Sequence, residues 1–161
     1  MNKKAIIIGI VSAITIAGFL IWRQYRKLLA FRLKFRSVKL NKINMNELSF
    51  TVGLNFENTS DIQVVLTNQL HKVYINNVFI ADIKSNKEDV IKAKSTSPLT
   101  FNVSVGSKGI GQLLKSVSFA ELLNFKELNL RISSALDVKV GQKVVKVNSD
   151  TQDTIKNWQA A

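Results

Sequence analysis

LSFTVGLNFENTS, residues 48–60, decides the fold. Leu48, Phe50, Val52, Leu54 and Phe56 alternate with Ser49, Thr51, Gly53, Asn55 and Glu57, the two-residue period of a strand with one dry face and one wet face. The run stops at Asn58-Thr59-Ser60-Asp61, four turn formers whose short side chains can bond their own backbone. A strand of this kind needs partners, and the neighbouring sequence supplies them.

Upstream, Phe31, Leu33 and Phe35 alternate with Arg32, Lys34 and Arg36, and Val38 and Leu40 then fall on the other parity, which predicts a bulge near Ser37. Downstream, Ile62 to Leu66 begins a strand. Val73-Tyr74-Ile75 and Val78-Phe79-Ile80 flank Asn76-Asn77, two residues that tolerate positive φ and predict a type I′ hairpin. Residues 82–94 read as a polar edge that guards against strand-to-strand pairing. Pro98 opens a further alternating run, Leu99, Phe101, Val103 and Val105.

Beyond Gly106 the period turns helical, with Ile110, Leu113, Leu114 and Val117 on one face. Ser118-Phe119-Ala120-Glu121 is a capping box that opens a second short helix. Leu128 to Val140 holds one parity through a long strand, and Gly141-Gln142 turns it back into Val145 and Val147. About seven strands and a helical crossover predict an immunoglobulin-like antiparallel β-sandwich over residues 31–149, without the Cys-Trp-Cys core of true immunoglobulins. Residues 150–161 read as a polar, frayed tail in which Ile155 and Trp158 form a possible docking patch.

The first thirty residues read differently. Ala5 to Trp22 holds eighteen residues without a charge, and at about 1.5 Å per helical residue it reaches about 27 Å, close to a bilayer core. A transmembrane helix is expected here, with Ala5, Ile10, Ile14, Phe19 and Trp22 marking its length. A cleaved secretory signal would end in small residues rather than Phe-Leu-Ile-Trp-Arg, and a buried helix of a globular core would show a polar face. The fold class is thus mainly β, an N-terminal transmembrane helix followed by the sandwich.

Charge sharpens that picture. The formal net charge is +12, and residues 1–42 carry +10 of it with no acidic side chain. Residues 43–161 are nearly neutral. Arg23, Arg26, Lys27, Arg32 and Lys34 form a basic collar beside the segment, suited to anionic lipid headgroups. The excess of cations after the segment places the following domain on the cytoplasmic side by the positive-inside rule, with a virion membrane or the periplasm as alternatives. A basic chain raises nucleic-acid binding, but the domain lacks a basic stripe interleaved with aromatics.

Little points to chemistry. There is no cysteine and one histidine, His71, expected as a half-exposed strand residue; a catalytic triad would need a serine elbow that is missing. Gly106-Ser107-Lys108-Gly109-Ile110-Gly111 lacks the order of a phosphate-binding loop and reads as a crossover. Asp61, Asp82, Glu88 and Asp89 are not spaced as a calcium loop. No catalytic, cofactor or metal site is expected. The apolar strand faces read first as a core, with a ligand cleft between the sheets as the sharper alternative.

Residues 31–149 resemble the second type of late-embryogenesis-abundant protein, with its WHy (water stress and hypersensitive response) domain. The resemblance lies in LSFTVGLNFENTSDIQVVLTN, where a strand ends close to the family's Asn-Pro-Asn turn with Thr59 in the place of proline, in the hairpin VYINNVFIADI, and in IKAKSTSPLTFNVSV. It implies a noncatalytic sandwich concerned with stress protection, membrane proximity and contacts to a protein partner or a second copy. Small membrane-anchored versions also look like genes of bacteria and their phages, which makes a phage structural protein linking a membrane to a capsid the alternative function.

Overall fold

The computed structural model describes Trp22, Arg23, Arg26 and residues 31–158. Eight strands follow one another as β1 (Arg32–Ile43), β2 (Glu47–Asn58), β3 (Val64–Ile75), β4 (Val78–Ser85), β5 (Asp89–Ile91), β6 (Ser95–Gly106), β7 (Asn129–Val140) and β8 (Lys143–Thr154). Two short helices, α1 (Ser107–Leu113) and α2 (Phe119–Leu123), and a 3-10 turn (Phe125–Glu127) carry the chain from β6 to β7. A last 3-10 turn spans Ile155–Trp158.

The strands form two antiparallel sheets. One has the order β1-β2-β6; the other runs β4-β3-β7-β8, with β5 beside the first half of β3 and β4 beside the second. The alternating run that decides the fold is the centre of the first sheet. It pairs with β6 over its whole length, and Leu48, Phe50, Val52, Leu54 and Phe56 are each at most 1% exposed. Facing them are Val64, Leu66, Val73, Ile75, Leu130, Ile132, Leu136 and Val138 from the second sheet, so the dry faces of both sheets make one core.

The expected bulge is present. A register shift between Phe35 and Ser37 leaves Arg36 over, so Leu33 and Phe35 point inward before it and Val38 after it. Ser37 lies opposite Gly53, where a Cβ would stand 2.6 Å from the Ser37 Oγ, so the bulge fits against a residue without a side chain. Asn76 and Asn77 both have positive φ, 46° and 66°, as the hairpin from β3 to β4 requires. The capping box closes α2: the Ser118 hydroxyl accepts from the Glu121 amide, and the Glu121 carboxylate accepts from the Ser118 amide.

Two expectations are corrected. No helix among the described residues is long and apolar enough to cross a membrane; those of the sandwich have seven and five residues. The transmembrane helix, and with it the single-pass placement and the cytoplasmic side, is therefore set aside, and Ala5, Ile10, Ile14 and Phe19 lie outside the described residues. The polar stretch after residue 82 lies at the edge of the second sheet, where β4 continues to Ser85 and β5 adds an eighth strand. Finally, residues 150–154 complete β8, and Ile155 is fully buried beneath them.

Candidate functional site

Two regions carry polar chemistry that the core does not absorb: the cationic edge strand β1, and a cleft on the opposite side of the sandwich. Among the collar residues, Arg23 and Arg26 are exposed on helical backbone, with the Arg26 guanidinium 5.1 Å from the centre of the Trp22 ring, a cation–π contact. Trp22 itself is half exposed. Lys27 lies outside the described residues. Arg32 and Lys34 stand on the outer face of β1, and Arg36 and Lys39 extend their line along the same strand. Lys34 is bound to Glu57 at 2.6 Å, and Lys42 to Glu47 at 2.6 Å. Arg32, Arg36 and Lys39 have no ion-pair partner among the described residues.

On the far side, β6 and the pair β4 and β5 are the outer strands of their sheets, and the sandwich parts between them. The opening is a cleft of about 290 Å³ lined by Ile83, Ser85, Leu99 and Phe101 among others, with His71 at its floor and Lys87 and Asp89 at its rim. His71 is not half exposed as expected; it is 2% exposed. The cause lies four residues upstream. A register shift between Leu66 and Asn68 leaves Thr67 over, so Leu66 points inward before it and Gln69, His71, Val73 and Ile75 after it.

Buried there, the imidazole has two neighbours. Its Nδ1 lies 2.8 Å from the hydroxyl of Ser134, directly opposite on β7, and its ring stacks on Phe101 from the other sheet at 4.8 Å between centres. Loss of hydration lowers its pKa to about 4, so the ring is neutral at neutral pH. Beside it the Gln69 amide donates to Asp89 at 2.8 Å, and Asp89 also lies 3.5 Å from the Lys87 ammonium. Ser134, Phe101 and Gln69 escape a reading of the sequence, since only the bulge turns His71 toward them.

This cluster is not built for acyl transfer. Ser134 is 3% exposed, so its hydroxyl meets the imidazole but not an incoming carbonyl. Among the described residues, no three or more His, Cys, Asp or Glu side chains are grouped to hold a metal ion. The glycine loop is a crossover: Ser107 to Leu113 is a helix of less than two turns, and none of Gly106, Gly109 and Gly111 has a positive φ. The turn after β2 is a clamp. The Asn58 amide donates to the carbonyls of Ile62 and Lys92, both at 2.9 Å, while its oxygen accepts from the Ser60 amide and hydroxyl.

No family model and no curated protein matches the chain. Among solved structures it is similar to a protein from Arabidopsis thaliana, at 12% identity and a TM-score of 0.53, over 74% of this chain and 80% of that one. It is also similar to a putative ApaA protein from Bordetella pertussis, at 4% identity and a TM-score of 0.51, over 78% of this chain and 93% of that one. The likeness is one of fold alone.

Proposed function

We propose that the chain is a noncatalytic β-sandwich module that protects or binds by surface contact, as the resemblance to late-embryogenesis-abundant proteins of the second type implies, with anionic lipid headgroups as its partner. The observation that carries this reading is the edge of β1. Arg32, Arg36 and Lys39 stand exposed along one strand without an ion-pair partner among the described residues, while the nearby carboxylates Glu47 and Glu57 are taken by Lys42 and Lys34. Each such cation is worth about 1 kcal/mol against an anionic surface, and the same charges keep the edge from pairing with other strands. The packing of the single histidine against Ser134 and Phe101 agrees with a structural role for it.

Vesicle cosedimentation of the full-length protein tests the reading. Phosphatidylserine-containing vesicles should bind more protein than phosphatidylcholine vesicles, and salt should remove the difference. Changing Arg32, Arg36 and Lys39 together to Gln should weaken the anionic component at least about tenfold. Equal binding by the triple variant would refute β1 as the contact surface.

A further inference from the structure

We propose that the cleft between β6 and the β4–β5 edge is a binding site for a small uncharged molecule with a planar ring and a hydroxyl group, and that the hydroxyl bonds to the Nε2 of His71. The site is separate from the cationic strand and does not depend on it.

The starting point is a ring nitrogen left open to the cleft. The His71 ring is almost wholly covered and its Nδ1 is engaged by Ser134, but its Nε2, which has no hydrogen-bond partner among the described residues, is not one of the polar atoms sealed from solvent, and the residue lines the cleft. A ligand that displaces the water there must give Nε2 a bond in its place, since a polar group buried without a partner costs about 1–3 kcal/mol. Which ring nitrogen carries the proton depends on the direction of the bond to Ser134. A hydroxyl both donates and accepts, so it satisfies Nε2 in either tautomer.

The walls choose the rest of the molecule. Ile83, Leu99 and the Phe101 ring are apolar, and Phe101 already stacks on the imidazole, so a planar ring has flat faces to lie against. At about 290 Å³ the cleft is at the small end of the roughly 300–1,000 Å³ usual for ligand pockets, which admits a single-ring compound and excludes a lipid chain or a folded peptide. An ionic ligand is disfavoured. The floor is a neutral imidazole, and at the rim Lys87 and Asp89 already face one another, with Gln69 holding the Asp89 carboxylate.

Phenol is the simplest probe, and the single histidine gives the readout. In long-range proton–nitrogen spectra of the full-length protein, phenol should shift the His71 Nε2 signal saturably, with a Kd on the order of 1 mM, as befits so small a ligand. Benzoate, which brings a charge into the same space, should bind at least about tenfold more weakly. Ser85→Phe, at a half-buried position lining the cleft, should fill it and weaken phenol binding at least about tenfold, with the remaining backbone signals in place. The proposal fails if the Nε2 signal stays put, if it drifts without saturating, if benzoate matches phenol, or if a folded Ser85→Phe protein binds phenol as well as the native one. The cleft would then hold water only.

Discussion

His71 ties acid stability to a single side chain. In the unfolded chain its imidazole titrates at its ordinary value, 6.5, whereas burial holds it at about 4 in the folded protein. Above pH 6.5 the ring is neutral in both states and contributes no pH dependence. Between 6.5 and 4 the unfolded chain takes up a proton that the fold refuses, so stability falls as the pH falls; below 4 the loss levels off at about 3 kcal/mol. His71→Gln keeps an amide for Ser134 and has nothing to titrate in this range. Urea unfolding at pH 7 and pH 4 should therefore show a smaller acid loss in His71→Gln than in the native chain, by about 3 kcal/mol. Equal losses would mean that the imidazole is hydrated in the fold.

At the scale of elements, what the sequence reveals depends on which residues flank each irregularity. The bulge in β1 is legible because Phe35 and Val38 are both apolar and break step visibly. The bulge in β3 is not, because the residues it turns inward first are Gln69 and His71, polar side chains that mimic an outward position. The later half of β8 is hidden for a similar reason. Beyond Val147 its residues are Asn, Ser, Asp, Thr and Gln, so its pairing with β7 leaves no apolar alternation to read. The crossover is legible in its helical period, but its glycines are not equivalent. A Cβ on Gly109 would overlap the Cγ1 of Val105, a stiff and buried neighbour, while one on Gly111 would meet nothing within 4 Å. Gly111→Ala should therefore stabilise the protein by up to about 1 kcal/mol through helix propensity, and Gly109→Ala should destabilise it by about 1–3 kcal/mol. Thermal unfolding of the two variants in parallel checks the contrast, and equal shifts of the same sign would contradict the packing of α1 on β6.

Considered whole, the sandwich is closed on one side and open on the other. The open side is the cleft above His71. The closed side is made by the last strand: the Thr151 hydroxyl donates to the Leu33 carbonyl of β1 at 3.2 Å, residues 150–154 pair with residues 129–133 of β7, and the Ile155 amide donates to the Leu128 carbonyl at 3.0 Å. Ile155 itself is fully buried in the common core, beside the crossover turn that sets Phe125 against Phe50 at 5.3 Å. Residues that read as a frayed tail thus join the two sheets along one edge. Ile155→Ala should cost about 2–5 kcal/mol, the range for deleting a buried branched side chain. The neighbouring Lys156, whose 2.8 Å pair with Glu127 is half exposed on both sides, offers a control, and Lys156→Gln should cost under about 1 kcal/mol. Stopping the chain after Ser149 removes the Thr151 bond, the end of β8 and Ile155 together, and should cost more than Ile155→Ala alone. Denaturant unfolding orders the three; if Ile155→Ala were no worse than Lys156→Gln, the edge would be held by the strands before residue 150 and the end of the chain would be ornamental to the fold.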